Sequence, residues 1–267
     1  MSFKMLTSTQ RTLDDAEELV EYYYRRIKVF IPTIAKICLL STFIEDSLRM
    51  YIYFSAQYYF FARRFYGWFS TFYIVFNLIV QMGAVLLILI KKKRLFAISS
   101  LFVVIFLQCI MYSPLYSWRF FGKSAALCGC LILLLVDARV TTSNKDEFAG
   151  LPDMGFDKPK SLMLLVGRIM TIFIFFTLLH SNMSYFKWFL TTINFALILS
   201  VAAGISAKLS AFILVLILSI ENVSMNNFWS VPEWMSDYVR YDFFLTLSVI
   251  GGLLFIVSHG AGANRIT

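Results

Sequence analysis

Apolar runs of about 20 residues, each long enough to cross a bilayer as a helix, recur through the whole chain and limit its fold more than any other feature. The chain has 267 residues, of which 59% are hydrophobic and only 15% charged. A soluble protein of this length could not bury that much apolar surface. The sequence therefore predicts an all-α, polytopic transmembrane helical bundle in the lipid bilayer. Its roughly eight spans are expected near residues 31–54, 68–90, 95–113, 119–136, 162–180, 187–204, 208–226 and 241–258.

The net charge of +8 comes from cations in short segments between the apolar runs, such as the run Lys91–Lys92–Lys93–Arg94. Lys and Arg are concentrated on alternate connecting segments, and this excess marks the cytosolic side of a membrane protein. The distribution predicts that both the N-terminus and the C-terminus are cytosolic. It also argues against nucleic-acid binding, because the cations follow membrane topology.

The spacing of the apolar runs divides the chain into five parts. Residues 1–30 are polar and amphipathic, unlike a cleavable signal peptide, and are expected to form a cytosolic helix that lies on the membrane surface or packs on the bundle. Two four-helix transmembrane units follow at 31–136 and 162–260. The polar segment 137–161, with Gly and Pro, is expected to be a cytosolic linker, and 261–267 a short cytosolic tail.

The two units show a weak internal similarity. "SAALCGCLILLLV" (124–136) aligns with "TLSVIGGLLFIVS" (246–258), which places Gly129 opposite Gly251. Lys36 and Arg168 each stand near the expected cytosolic end of the first helix of their unit, where they can extend toward the headgroups. Because four spans return the chain to the same side, the units would form two parallel repeats.

Residues typical of catalysis or cofactor binding are sparse. The four cysteines form neither a CxxC motif nor a zinc-ligand spacing, and the two histidines are far apart in sequence. The sequence also lacks a glycine-rich phosphate loop. We therefore expect no enzymatic activity, no cofactor and no metal.

The stretch "STFIEDSLRM" (41–50) puts Glu45, Asp46 and Arg49 inside the first apolar run. Each charge costs about 2.5–3.5 kcal/mol near the membrane centre on insertion scales, so these side chains should face the bundle interior or a wet cavity. Both acids can reach Arg49, at spacings i,i+4 and i,i+3. Two interpretations stay open: a lumenal pocket for a cationic group such as a peptide's N-terminal amine, or a salt bridge between helices.

Further polar residues lie toward the expected lumenal ends of the later runs. His180 ends the fifth run, and Glu221 could join the same pocket as Glu45. The segment 221–244 is rich in aromatic residues, including Trp229, and is either an interfacial belt or a surface that binds a partner. The amides within the runs are expected to form interhelical hydrogen bonds: Asn77, Gln81, Gln108, Asn194 and Asn222.

Several stretches resemble the surfeit locus protein 4 family of endoplasmic reticulum (ER) cargo receptors: "CLLSTFIEDSLRM" (38–50), "FAGLP" (148–152), "KPKSLMLLVGR" (158–168), "TLLH" (177–180), "NNFWSVP" (226–232) and "YDFFLTLSVIGGLL" (241–254). The resemblance implies a protein of the ER membrane that cycles through the ER–Golgi intermediate compartment and the Golgi. Such receptors bind soluble secretory proteins, often through exposed N-termini, and load them into COPII vesicles. Glu221 departs from the family pattern, whereas the other candidate pocket residues match it: Glu45, Asp46, Arg49, His180, Trp229, Tyr241 and Asp242.

Other functions remain open at this point. The acids and the repeat also suit a transporter of a small cationic solute, and four-helix units resemble DoxX-like membrane enzymes. Lipid handling is a third alternative. Family members typically end in a dilysine-containing tail, whereas this sequence ends in "AGANRIT", so the retrieval mechanism is open. Cargo identity and the formation of a homo-oligomer are not determined by the sequence.

Overall fold

A computed structural model describes residues 30–63, 65–112, 118–146, 171–174, 185–204 and 207–259. All the regular elements within these ranges are helices. Most of the expected N-terminal segment, residues 147–161 of the expected linker, and the tail 261–267 lie outside the described residues.

Eight α-helices and one short 3₁₀ turn make up the described regions. The 3₁₀ turn, Thr171–Ile174, lies between α5 and α6. In chain order the α-helices are α1 (Ile31–Ile52), α2 (Phe54–Ala62), α3 (Gly67–Leu89), α4 (Arg94–Met111), α5 (Trp118–Asp146), α6 (Tyr185–Ala203), α7 (Ala207–Met225) and α8 (Glu233–His259).

Five segments of these helices are long and apolar enough to span a membrane: Gly67–Leu89, Arg94–Met111, Phe121–Arg139, Ala207–Met225 and Ser236–Ser258. The apolar part of α6, Trp188–Ala203, is shorter. α1 has 22 residues but carries four charged side chains, which lowers its hydropathy. These helices confirm the predicted all-α polytopic bundle.

The helix boundaries differ from the expected ones in two places. The first helix ends at Ile52 and is followed by a separate nine-residue helix, α2, which the apolar pattern did not separate from it. α5 continues to Asp146, so residues 137–146, expected within the linker, are helical. Within the expected fifth span, 162–180, the structure describes only the 3₁₀ turn.

The most extensive helix contact is between α1 and α8, which lie antiparallel. Small and polar residues bring the two backbones close together: the Ser248 hydroxyl donates to the Leu39 carbonyl at 2.7 Å, and the Thr42 hydroxyl donates to the Phe244 carbonyl at 2.9 Å. A Cβ added to Gly251 would lie only 2.5 Å from the backbone nitrogen of Leu39. Close approach through small residues is typical of membrane helix pairs.

α1 lies between α8 and α3, and α8 also packs against α5 and α7. The last helices of the two expected repeats, α5 and α8, are therefore in direct contact, and a Cβ on Gly252 would meet the Cys130 sulfur at 2.6 Å. The parallel repeat itself stays a prediction. This arrangement brings polar residues of α1 against α3 and α4 on one flank and against α8 on the other.

Candidate functional site: a polar cluster around the first helix

Asp46 is fixed by donors from three helices. Its Oδ1 accepts a hydrogen bond from Arg49 Nη2 at 2.6 Å on α1. Its Oδ2 accepts from Gln81 Nε2 of α3 at 2.8 Å and from Gln108 Nε2 of α4 at 2.5 Å. The Asp46 side chain is buried, and each of its oxygens has a partner. A buried carboxylate bound in this way holds its helices in a fixed arrangement.

The network continues from Gln81 along α3. The Ser47 hydroxyl donates to Gln81 Oε1 at 2.8 Å, and Gln81 Nε2 also donates to Asn77 Oδ1 at 3.1 Å. Asn77 in turn donates to the hydroxyl of Tyr73 within the same helix. The prediction of interhelical hydrogen bonds is confirmed for Gln81 and Gln108, since both bond to Asp46 of α1. It is also confirmed for Asn194 and Asn222, which donate to α7 and α8, whereas the side-chain bonds of Asn77 lie within α3 in the described structure.

Glu45 is in a different situation from its neighbour. Its side chain is 5% exposed, and both carboxylate oxygens are buried without a hydrogen-bond partner in the part of the chain that the structure describes. The nearest cation, Arg49 Nε, lies 3.6 Å from Oε1, which is an ion pair but too long for a good hydrogen bond. Glu45 is thus a buried acid whose acceptors are unused. Such an arrangement can hold a cation or a group with several N–H donors.

Glu45 lies on the flank of α1 that faces α8. The same helical stripe contains Thr42, which bonds to α8, and Arg49, whose guanidinium lies 5.9 Å from the ring centre of Tyr241. Arg240 and Asp237 of α8 also interact electrostatically with Glu45, with opposite signs. The structure therefore places Tyr241, one of the proposed pocket residues, beside the acidic cluster.

Asp242, the next predicted residue, forms a buried ion pair with Lys123 of α5. The Lys123 ammonium lies 5.0 Å from the ring centre of Tyr238 and 5.9 Å from that of Tyr241. Tyr241 consequently has one cation from each of two helices against its ring. The sequence analysis did not include Lys123 among the candidate site residues. Its position inside an apolar run was the available signal, because a lysine there usually pairs with a buried acid.

The remaining predicted site residues are not part of this cluster in the described structure. Glu221 of α7 accepts a hydrogen bond from Asn194 of α6 at 2.7 Å, which places it in a contact between those two helices. Trp229, in the segment before α8, is 59% exposed and packs edge-on against Phe228 and against Phe243 of α8. His180 lies outside the described residues.

A second ion pair lies toward the opposite end of α5 from Lys123. Lys36 of α1 was expected to extend toward the headgroups, but its ammonium lies 2.7 Å from Asp137 of α5. Both side chains are largely buried, at 16% and 9% exposure. That expectation was wrong because the α5 helix continues through Asp137 and so presents an acid within the bundle.

Sequence comparison identifies the family. The sequence model of the SURF4 family matches residues 10–266 of the chain. The chain belongs to the SURF4 family. The resemblance drawn from the short motifs is thereby confirmed, and the acidic cluster of α1 lies within the region that the SURF4 family model covers.

Named relatives of this SURF4 family member come from insects and fungi. A surfeit locus protein 4 homolog of Drosophila melanogaster is 39% identical, covering 92% of both chains. A homolog of the same name from Schizosaccharomyces pombe is 33% identical over 92% of this chain and 83% of the relative. The ER-derived vesicles protein ERV29 of Saccharomyces cerevisiae is 29% identical over 89% and 76%, respectively. No solved structure matches the chain.

Proposed function

We propose that this protein is a cargo receptor of the ER membrane. In this proposal it binds soluble secretory proteins on the lumenal side and loads them into COPII vesicles for transport to the Golgi. The apolar helices support a multi-pass membrane protein, and a relative named for ER-derived vesicles supports a place in the secretory pathway. The cytosolic segments would contact the coat, among them residues 1–30 and the part of 137–161 that follows the buried Asp137 and Ala138.

The observation that carries the proposal is the state of Glu45. Asp46 and Arg49 form a closely hydrogen-bonded pair, which leaves Glu45 as the excess negative charge of the trio. Both of its oxygens lack donors in the described structure. An N-terminal ammonium group has three N–H donors and one positive charge, and it would satisfy both oxygens at once. A cargo protein's exposed N-terminus therefore suits this position.

Access to Glu45 requires a local movement. Because the side chain is only 5% exposed, a cargo terminus reaches it when α1 and α8 separate near Tyr241. Trp229 and Tyr238 are exposed at the same end of α8 and offer a first contact surface for the cargo. In this proposal the aromatic residues bind the cargo chain and Glu45 binds its terminal charge.

The substitution Glu45→Gln tests this assignment. The amide keeps the size of the side chain but removes the charge, so cargo should leave the ER more slowly while the receptor accumulates normally. Pulse-chase measurement of secretion, at matched receptor levels, is the appropriate assay. Asp237→Asn is the matched control, because the Asp237 side chain is 55% exposed at the same end of the bundle, and its interaction with Glu45 is weaker than those of Arg49, Asp46 and Arg240.

Two results would count against the proposal. Normal secretion by the Glu45→Gln protein would remove Glu45 from cargo binding. Flux of a small cationic solute into liposomes containing the purified protein, lost on Glu45→Gln, would instead favour a transporter. A cargo protein with an acetylated N-terminus provides a further check, since loss of the terminal charge should weaken its crosslinking to the wild-type receptor but not to the Gln variant.

A further inference from the structure

The turn between α3 and α4, residues 90–93, contains three consecutive lysines. Lys91, Lys92 and Lys93 are all exposed, and Arg94 begins α4 directly after them. None of the four takes part in an ion pair within the described residues. α4 starts without a side-chain cap and without an acidic residue in its first turn, so the positive end of its dipole adds to the same potential.

The backbone of this turn is one that glycine would normally adopt. α3 ends in a Schellman arrangement, in which the Lys92 amide donates to the Leu87 carbonyl at 3.0 Å and the Lys91 amide to the Ile88 carbonyl at 3.2 Å. Lys91 and Lys93 have φ values of 65° and 43°, in the left-handed region. Side chains with a Cβ are disfavoured there, and glycine or asparagine is the usual residue. Lysines occupy both positions despite this strain, so positive charge is the property that distinguishes the turn.

The lengths of the adjoining helices place the cations at the boundary of the hydrocarbon layer. The turn directly joins two helices that are long and apolar enough to span a membrane, with only a few residues between them. Ile90 and Phe96, on either side of the lysines, are 61% and 70% exposed. Such apolar side chains enter the acyl region, while lysine stems extend to the headgroups. The four charges are therefore held at headgroup depth.

We propose that this turn is a binding site for anionic lipid headgroups. Four cations that form no ion pair within the described residues attract acidic phospholipids at a membrane surface by charge complementarity. A protein partner is the less suitable occupant, because it would have to reach the hydrocarbon boundary between Ile90 and Phe96. The fixed left-handed turn holds Lys91 and Lys93 in place, so headgroup phosphates meet a preformed set of donors. The site is independent of the Glu45 cluster.

Native mass spectrometry of the full chain released from nanodiscs tests the proposal. The nanodiscs contain phosphatidylcholine with a minor fraction of phosphatidylserine or of a phosphatidylinositol phosphate, and retained lipids are counted. Wild-type protein should retain anionic lipid in preference to phosphatidylcholine. Each cation near an anionic surface contributes about fivefold in affinity, so Lys91→Gln/Lys92→Gln/Lys93→Gln should reduce retention at least about tenfold.

Two further variants test the role of the charge, one that keeps it and one that removes part of it while relieving the backbone strain of the turn. Lys91→Arg/Lys92→Arg/Lys93→Arg keeps the charge and should retain anionic lipid as the wild type does. Lys91→Gly/Lys93→Gly relieves the left-handed strain, so its melting temperature should rise while lipid retention falls; this variant also serves if the glutamine protein does not fold. Unchanged retention in the neutral variants would overturn the proposal. So would charge-dependent capture of an acidic cytosolic protein without any preference among lipids.

Discussion

The two flanks of α1 differ in how completely their polar groups are paired. On the flank toward α3 and α4, Asp46 accepts hydrogen bonds from Arg49, Gln81 and Gln108. On the flank toward α8, Glu45 is equally buried, yet its oxygens have no hydrogen-bond donor among the described residues. Two adjacent acids of one helix thus have opposite surroundings, because successive residues point about 100° apart around a helix.

This difference separates a structural role from a binding role. A buried carboxylate with a full set of hydrogen bonds contributes to a unique packing, whereas one with a long ion pair and no hydrogen-bond donor carries a desolvation cost that a ligand can relieve. The backbones of α1 and α8 are in close contact at Gly251, nearer the start of α1. Glu45, whose oxygens have no hydrogen-bond donor among the described residues, lies toward the other end of the same flank. Substitutions on one flank at a time, with folding stability measured separately from function, distinguish the two roles.

The largest loss of stability is expected for Asp46→Ala. Removing this carboxylate leaves Arg49, Gln81 and Gln108 without their shared acceptor inside the bundle. Breaking a buried ion pair in this way costs about 3–5 kcal/mol, and the modest strength of hydrogen bonds in membrane proteins favours the lower end. Reversible unfolding in mixed detergent micelles measures the change. Asp237→Ala, at an exposed acid, should cost under about 0.5 kcal/mol, and equal losses for both would contradict the assigned structural role.

A smaller loss is expected for Gly251→Ala on the α8 flank. The new Cβ would lie 2.5 Å from the Leu39 nitrogen and 2.6 Å from the Ala35 carbonyl oxygen, so the two helices must move apart. Overpacking of this kind costs about 1–3 kcal/mol. Gly83→Ala is a matched control on α3, because its Cβ would meet nothing within 4 Å. Alanine is the better helix former, so this control should be neutral or stabilising by up to about 1 kcal/mol in the same unfolding assay. Similar effects at both glycines would show that the α1–α8 contact is not tight.

The sequence was sufficient for the fold class and for the direction of the charged face, but not for the pairing of each charge. Hydropathy and insertion cost are properties of one helix, and they correctly placed the Glu45–Arg49 stripe in the interior. The partners of Asp46 lie 35 and 62 residues away, and those of Asp242 and Lys36 are 119 and 101 residues away in sequence. Which of these residues, so far apart in sequence, come into contact depends on helix packing, and apolar periodicity does not determine that packing. The separate helix α2 was missed for a related reason, since its aromatic residues continue the apolar run of α1.

The smallest stability change is expected for Glu45→Gln, the variant whose functional defect should be greatest. Neutralising this side chain removes a buried charge that lacks hydrogen bonds, while Arg49 keeps its 2.6 Å contact with Asp46. Losing the attraction to Arg49 destabilises the fold, whereas removing the desolvation cost of the buried charge stabilises it. Because the two effects oppose each other, the free energy of unfolding should change by less than about 1 kcal/mol. Asp46→Asn, measured beside it, should lose more because three donors face its carboxylate. A Glu45→Gln protein as unstable as Asp46→Asn would assign both acids to structure, and the α8 flank would then have no free charge to offer a ligand.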